Sequence, residues 1–313
     1  MRRKKDNWKS PPGNRNRINY MKILIYGAGV IGSLYASLLS EAGVDVSVYA
    51  RGKRIESLSK NGLLYKKSNQ IKTARVTVIS EVHYDDLYDF IFLTVRENQL
   101  RTALAELKDN VSPTIVTMVN SLDTYDVWEE LCGKGRILPA FPGAGGGFEG
   151  DVLDADLTPR IIQPTTIGRT DGREKILASI FKRAKIPYQI VEDMHAWQIC
   201  HLCMVVPLAD AYYEVDDPKN CGRDYNLMKA TAGRIKENFR RMSGGGVKLS
   251  PSKMKWFMIL PTSVIALLLG FVYRSDFGDK FMYRHSMKAP DEMKRLHEQF
   301  YDYLKENQRE GVV

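Results

Sequence analysis

The amino-acid sequence predicts an α/β fold, with a doubly wound sheet of the Rossmann type at the N-terminus followed by an all-helical C-terminal domain. Three observations carry this expectation. Residues 21–51 (MKILIYGAGVIGSLYASLLSEAGVDVSVYAR) pass from a strand through a glycine turn into a helix and back to a strand. Strand and helix patterns go on alternating as far as Glu192. From Asp193 onward only helical patterns remain. At 313 residues the chain is long enough to bury two separate cores. The expected division is a basic, disordered tail at 1–20, a nucleotide-binding domain at 21–192, and a helical domain at 193–313 for substrate binding and dimerisation.

The first strand, Lys22 to Tyr26, runs straight into Gly27-Ala28-Gly29-Val30-Ile31-Gly32. Each glycine answers a separate steric demand. Gly27 permits the tight turn, Gly29 lets a pyrophosphate approach the backbone, and Gly32 lets the helix pack closely on the strand. The phosphates then lie on free N–H groups at the positive end of the helix dipole. The helix runs to Glu41, Gly43 stops it, and Val44 to Tyr49 form the second strand.

An NAD-type site places an acid about 20 residues past the first glycine, for the ribose 2′-hydroxyl. Here Tyr49-Ala50-Arg51-Gly52-Lys53-Arg54 contains no acid. A guanidinium binds a 2′-phosphate bidentately where a carboxylate repels it. Arg51, helped by Lys53 and Arg54, therefore points to NADP(H), the alternative being solvated charges at a helix start.

Later elements follow in the same alternation. Residues 53–61 read as a helix, Val76 to Ser80 and Asp89 to Val95 as strands, and Glu97 to Lys108 as a helix with Leu100, Leu104 and Leu107 on one face. Thr114 to Asn120 is a buried strand, Thr124 to Leu131 a helix, and Ile137 to Phe141 a strand. Ligands in such sheets lie beyond the carboxyl ends of the strands, where Arg96 and Asn120 stand. Each faces the cofactor or caps the helix that follows it. The run Gly143-Ala144-Gly145-Gly146-Gly147 is either a close approach to a ligand or a flexible turn. Asp193 is the expected N-cap of a helix from Met194 to Tyr213. Further helices are expected at 224–242, 252–273 and Pro290 to Lys305, the last with Met293, Leu296, Phe300 and Leu304 in one stripe.

Composition narrows the functional class. Of the net charge of +9, residues 2–17 hold seven bases and one acid, or +6, which leaves +3 for the rest and argues against nucleic acid as a partner. No apolar run follows the basic tail, so it is not a signal peptide. Four cysteines without regular spacing suit a reducing cytoplasm, not a disulfide framework. Cys200-His201-Leu202-Cys203 spells a CxxC inside an apolar helix without a second pair, so no metal site is expected. Trp256 to Tyr273 carries no charge but is broken by Pro261, and reads as two buried core helices in preference to a membrane span.

At this point the chain resembles the ketopantoate reductase family (2-dehydropantoate 2-reductase-like) over everything after Met21. The marks are GAGVIG with Arg51 behind it, TVRENQ at 94–99, Asn120, DMHAWQICHLCMVVPL at 193–208 and DEM at 291–293. The FPGAGG and QPTTIG stretches look like a divergent branch. The resemblance implies NADPH-dependent reduction of a small 2-oxo acid. It also implies that the loop 27–32, Arg51, Arg96 and Asn120 touch the cofactor, with Glu292 near the nicotinamide end.

One departure matters for chemistry. The family places its general acid, a lysine, two residues after the Trp position and asparagines four and eight residues beyond it. Here those positions hold Ile199, Cys203 and Pro207, or, one residue back, Gln198, Leu202 and Val206. Loss of a general acid typically costs about 10²–10⁴-fold. His195 and His201 are the candidate substitutes, each otherwise a structural histidine. Two functional classes follow: a reductase with a relocated proton donor, or a cofactor-binding protein of the same fold, such as a redox sensor, with little turnover.

Overall fold

The computed structural model describes residues 21–288 and 290–310; the basic tail at 1–20 lies outside them. Twelve strands are described. In chain order they are β1 (Lys22–Tyr26), β2 (Asp45–Tyr49), β3 (Leu63–Lys67), β4 (Gln70–Ala74), β5 (Thr77–Ile79), β6 (Phe90–Leu93), β7 (Ile115–Met118), β8 (Ile137–Phe141), β9 (Ala144–Glu149), β10 (Val152–Leu157), β11 (Thr165–Gly168) and β12 (Tyr188–Val191). Eight form the large sheet in the order β12-β11-β8-β7-β6-β1-β2-β5, parallel throughout except where β11 meets β8. Its central strands are buried on both faces, which is why they read as continuous apolar runs such as FIFL and IVTM. The helices of this half are α1 (Val30–Glu41), α2 (Gly52–Asn61), α3 (Glu97–Glu106), α4 (Tyr125–Cys132) and α5 (Arg173–Arg183).

The fold class holds, but a second sheet was not foreseen. β4, β3, β10 and β9 form a four-stranded sheet in that order. Its first hairpin turns on Ser68 and Asn69 at φ 50° and 61°, the paired left-handed residues that a two-residue hairpin favours. The glycine run, expected as a close approach to a ligand or a flexible turn, is instead strand β9. Glycines give no alternating side-chain signal, so packing decides the outcome. A Cβ on Gly145 would lie 2.7 Å from the Phe281 ring, and one on Gly146 would lie 2.3 Å from the Asp154 carbonyl. One side of this sheet sends Leu153 and Ala155 into the core shared with α1. On the other side, Lys280 reaches Asp154 at 2.9 Å.

The C-terminal part is helical: α6 (Met194–Tyr213), α7 (Tyr225–Gly244), α8 (Lys255–Ile259), α9 (Thr262–Tyr273), α10 (Arg284–Lys288) and α11 (Pro290–Glu310). Asp193 caps α6 as expected, accepting a hydrogen bond from the Ala196 N–H at 2.9 Å. Pro207 lies inside α6 and has no N–H to give the Cys203 carbonyl one turn back. Asn238 of α7 fills the gap, its side-chain amide donating to that carbonyl at 3.2 Å.

Pro261 splits the uncharged segment, and the chain bends by 117° between Ser252–Ile259 and Thr262–Tyr273. Among the described residues no single helix is long and apolar enough to cross a membrane. The expectation of a fully buried core is corrected, however. α9 buries Ile265, Ala266 and Leu269 but leaves Leu267, Leu268 and Phe271 exposed at 56%, 54% and 66%. The stripe on α11 packs as read, with Met293, Leu296, Phe300 and Leu304 all buried.

The Asn238 contact yields a stability test. Asn238→Leu removes the donor and strands a buried carbonyl, so we expect a loss of about 1–3 kcal/mol by denaturant titration. Ala in place of Pro207 in the same background should restore part of it by supplying the missing N–H.

Candidate active site

A cleft of about 640 Å³ opens at the carboxyl ends of β1, β2 and β6, lined by the glycine loop, Arg51, Arg54 and Arg96 among others. The three glycines hold distinct positions. Gly27 sits at φ 114° with Thr94 O 2.9 Å from where a Cβ would stand. At Gly32 a Cβ would lie 2.0 Å from Gly27 O and 2.5 Å from Thr94 Oγ1, so only glycine allows α1 to cross this close. At Gly29 a Cβ would meet nothing within 4 Å. With Ala28, Val30 and Ile31 the loop delivers the first turn of α1 to the cleft without a side-chain cap or an acid. Its free N–H groups and open floor fit a pyrophosphate.

Arg51 and Arg54 occupy one end of the cleft. The Arg51 guanidinium stacks 5.2 Å from the Tyr49 ring centroid. Its Nη2 donates to Glu106 at 2.6 Å and to the Tyr26 hydroxyl at 2.8 Å. Tyr26 also donates to Glu106. Arg54 lies over Phe148 at 4.4 Å and donates to Ala28 O at 3.1 Å. No motif pointed to Glu106, which lies 55 residues beyond Arg51 at the far end of α3. Tyr26 did carry one: a polar-tipped aromatic directly before the first glycine.

Arg96 stands just before α3 but makes no capping bond, and its Nε lies 4.0 Å from Glu292. Arg295 reaches Glu97 at 3.6 Å. The start of α11 therefore crosses to the mouth of the cleft, bringing Glu292 to Arg96. Asn120 does not line the cleft but follows the neighbouring strand, β7. It does not cap α4 either, since Thr124 holds that position.

Beside Asn120 the helical part meets the sheet. Gln198 donates to Val119 O at 3.0 Å and accepts from the Tyr125 hydroxyl at 2.9 Å. Ile199 turns the other way, 1% exposed, into the helical core. Of the two registers read from the sequence, the geometry thus faces Gln198, and not Ile199, toward the sheet. Four buried polar atoms lack hydrogen-bond partners among the described residues here: Thr117 Oγ1, Asn120 Oδ1, His195 Nδ1 and Trp197 Nε1. Buried polar atoms are almost always paired, so each of these four lacks a partner that a ligand could supply.

The two histidines differ. His201 is buried, its ring stacked 5.2 Å from Trp197 and tilted against Phe141 at 4.6 Å. His195 is half-buried, edge-on to Tyr125 at 6.2 Å. Burial pulls its pKa below the usual histidine value, opposed by the nearby Asp193 carboxylate. The thiols of Cys200 and Cys203 are buried and unpaired, and burial raises both pKa values. A second cavity of about 620 Å³, lined by Asp210, Arg234, Asn238 and His297 among others, lies in the helical part away from the glycine loop.

Residues 23–153 match the family model described as "Ketopantoate reductase PanE/ApbA", so the resemblance read from the motifs holds. The chain is 28% identical over 250 residues to 2-dehydropantoate 2-reductase of Pyrococcus horikoshii, covering 75% of this chain and 78% of that one. It is 30% identical over 142 residues to the enzyme of the same name from Mesorhizobium japonicum, covering 43% and 38%. Among solved structures it is similar to a PanE/ApbA family ketopantoate reductase from Ralstonia eutropha, with a TM-score of 0.63, 17% identity and coverage of 92% and 100%. It is similar to D-mandelate dehydrogenase in complex with NADH and anilino(oxo)acetate to the same TM-score of 0.63, at 16% identity and coverage of 92% and 99%. At such identities the structural likeness speaks to the fold.

The glycine loop separates ligand binding from folding. Gly29→Val should abolish nucleotide binding, measured by calorimetry, while leaving the melting temperature nearly unchanged. Gly32→Val should unfold the chain or lower its melting temperature sharply, because the new side chain meets backbone.

Proposed function

We propose that this chain, which carries the ketopantoate reductase PanE/ApbA domain over residues 23–153, is an NADPH-dependent reductase of a 2-oxo acid or a related small carbonyl compound. One observation supports this most. An open glycine cradle with Arg51 at one end stands at the carboxyl ends of the parallel strands, and Asn120, just past β7, holds a buried side-chain oxygen without a partner. When bound there, a reduced nicotinamide supplies the hydride. The chain does the rest.

The first turn of α1 and the glycine loop hold the phosphates. Arg51 and Arg54 supply positive charge for a 2′-phosphate. Asn120 offers an amide to the cofactor or to the substrate. The tie between Gln198 and Val119 fixes the helical part against the sheet and keeps water out of the joint. His195 is the proton donor in this reading, because its Nδ1 is free of partners and its ring stands edge-on to Tyr125, whose hydroxyl donates to Gln198 at the joint. Its lowered pKa leaves it mostly neutral at pH 7, so the protonated form grows as pH falls. The four buried, unpaired thiols are compatible with work in the cytoplasm.

A second reading, a nucleotide-binding protein with little turnover, draws on the neutral Gln198 at the joint. The test of both is NADPH oxidation across a panel of 2-oxo acids. We expect NADPH to bind at least about tenfold tighter than NADH and the reduction rate to rise on acidification. His195→Ala should lower kcat by about 10²–10⁴-fold and flatten that profile. If His201→Ala alone does so, the donor is His201. Tight NADPH binding without turnover on any substrate favours the second reading.

We also propose a homodimer through the outer face of α9. Leu267, Leu268 and Phe271 form an exposed apolar row of the kind that marks an interface. Near the N-terminal end of α9, Lys253 and Lys255 stand among residues 238–275, which hold no acid. Near the other end, Gly222 packs on Tyr273, bringing the exposed Asp216, Asp217 and Asp224 close. Lys219, Arg223 and Arg274 are exposed at that end too, so the antiparallel pairing about Leu268 rests on the apolar row and not on charge. Light scattering should give a dimer mass for the unmutated chain and a monomer mass for Leu268→Glu with unchanged helix content. A monomer at all concentrations for the unmutated chain would sink this pairing.

A further inference from the structure

We infer that Glu106 is the residue that sets the choice between a nucleotide 2′-phosphate and a free 2′-hydroxyl, as an acid delivered by the far end of α3 and not by the end of β2. The inference rests on reading the glycine cleft as a dinucleotide site. The sequence shows only bases after β2, which on its own means an unopposed cation for the phosphate. The fold does not leave Arg51 unopposed. Glu106 Oε2 lies 2.6 Å from Arg51 Nη2, at the end of the cleft that Tyr26 and Tyr49 line.

Several contacts hold the pair in place although both side chains are partly exposed. Glu106 Oε2 takes hydrogen bonds from both Arg51 and the Tyr26 hydroxyl, and Arg51 also donates to that hydroxyl at 2.8 Å. Tyr26 is held by its ring 4.5 Å from Tyr49, which in turn stacks on the guanidinium at 5.2 Å. Burial and the bond to Glu106 hold the Tyr26 phenol far above its usual pKa, so it stays a donor and keeps the carboxylate in place.

Two sets of atoms remain for a ligand. Arg51 keeps Nε and Nη1, and Glu106 keeps Oε1, without bonds among the described residues. The donors suit a phosphate and the acceptor suits a ribose hydroxyl. A carboxylate this close to the arginine cancels much of its charge and repels a dianion arriving at the same place. The same carboxylate is the partner an NAD-type site normally draws from the end of its second strand. Glu106 therefore narrows the preference that Arg51 creates.

The experiment is calorimetric titration of the full chain with NADPH and with NADH, for the unmutated protein, Glu106→Gln and Arg51→Gln. Glu106→Gln keeps an oxygen for Tyr26 and is isosteric, and a melting curve verifies that it folds. It should raise the NADPH-to-NADH affinity ratio about tenfold, with NADPH binding tighter and NADH weaker. Arg51→Gln leaves the acid unopposed and should invert the preference toward NADH. An unchanged ratio in Glu106→Gln overturns the role of Glu106 while leaving the cleft a nucleotide site. A fall in NADPH affinity also overturns it, and shows that Glu106 merely holds Arg51 for the phosphate. If the unmutated chain binds neither nucleotide, the reading of the cleft itself fails and this inference goes with it.

Discussion

The arrangement of the nucleotide end depends on how closely α1 crosses the strand it follows. At Gly32 there is no room for even a methyl group, with the Gly27 carbonyl and the Thr94 hydroxyl occupying that space. Thr94 in turn donates to Gly27 O at 2.8 Å, so the end of β6 and the glycine turn brace one another. This contact brings the open end of α1 level with the strand ends. The cleft exists because of it, and Arg51, Arg54 and Arg96 become its walls by standing at the ends of elements that share the same edge.

The helical part is held to that edge at separated points of different strength. At the centre lies a buried joint, where Gln198 is bonded on both sides of its amide. At the rim are the partly exposed pairs Arg96–Glu292 and Glu97–Arg295, at 4.0 and 3.6 Å. Exposed pairs of this kind contribute little and weaken with salt, whereas a buried amide with both partners made is costly to break. The rim is thus free to loosen around a fixed centre, as the proposed entry and release of a nucleotide would require.

Much of this was legible in the residues. The glycine turn, the alternating elements and the helical C-terminal part all follow from local pattern, and Asp193 announced its own cap. What was hidden shares one cause: contacts between residues far apart in the chain. Strand β9 has no side-chain pattern because its glycines exist to let Phe281 and the β10 backbone come close. Glu106 reaches Arg51 across 55 residues. The choice between Gln198 and Ile199 turned on which side of α6 faces the sheet, and α6 is too uniformly apolar for its periodicity to say. The exposed face of α9 was hidden for the same reason, since an apolar helix reads as buried whether or not a partner covers it.

The small sheet has a consequence for how the chain is made. Its first hairpin is complete by residue 74 and its last strands by residue 157, yet the ring that seats on Gly145 belongs to Phe281. β9 pairs along its whole length with β10, but its glycine face stays uncovered until that ring arrives, and contacts of such sequence separation slow folding. During synthesis the large sheet can therefore form while its smaller neighbour waits, half finished, for the C-terminus to emerge from the ribosome. A chain stopped short of residue 281 would leave the glycine face of β9, an edge strand, uncovered. Chaperones and proteases recognise such features, so incomplete copies carry their own mark for removal.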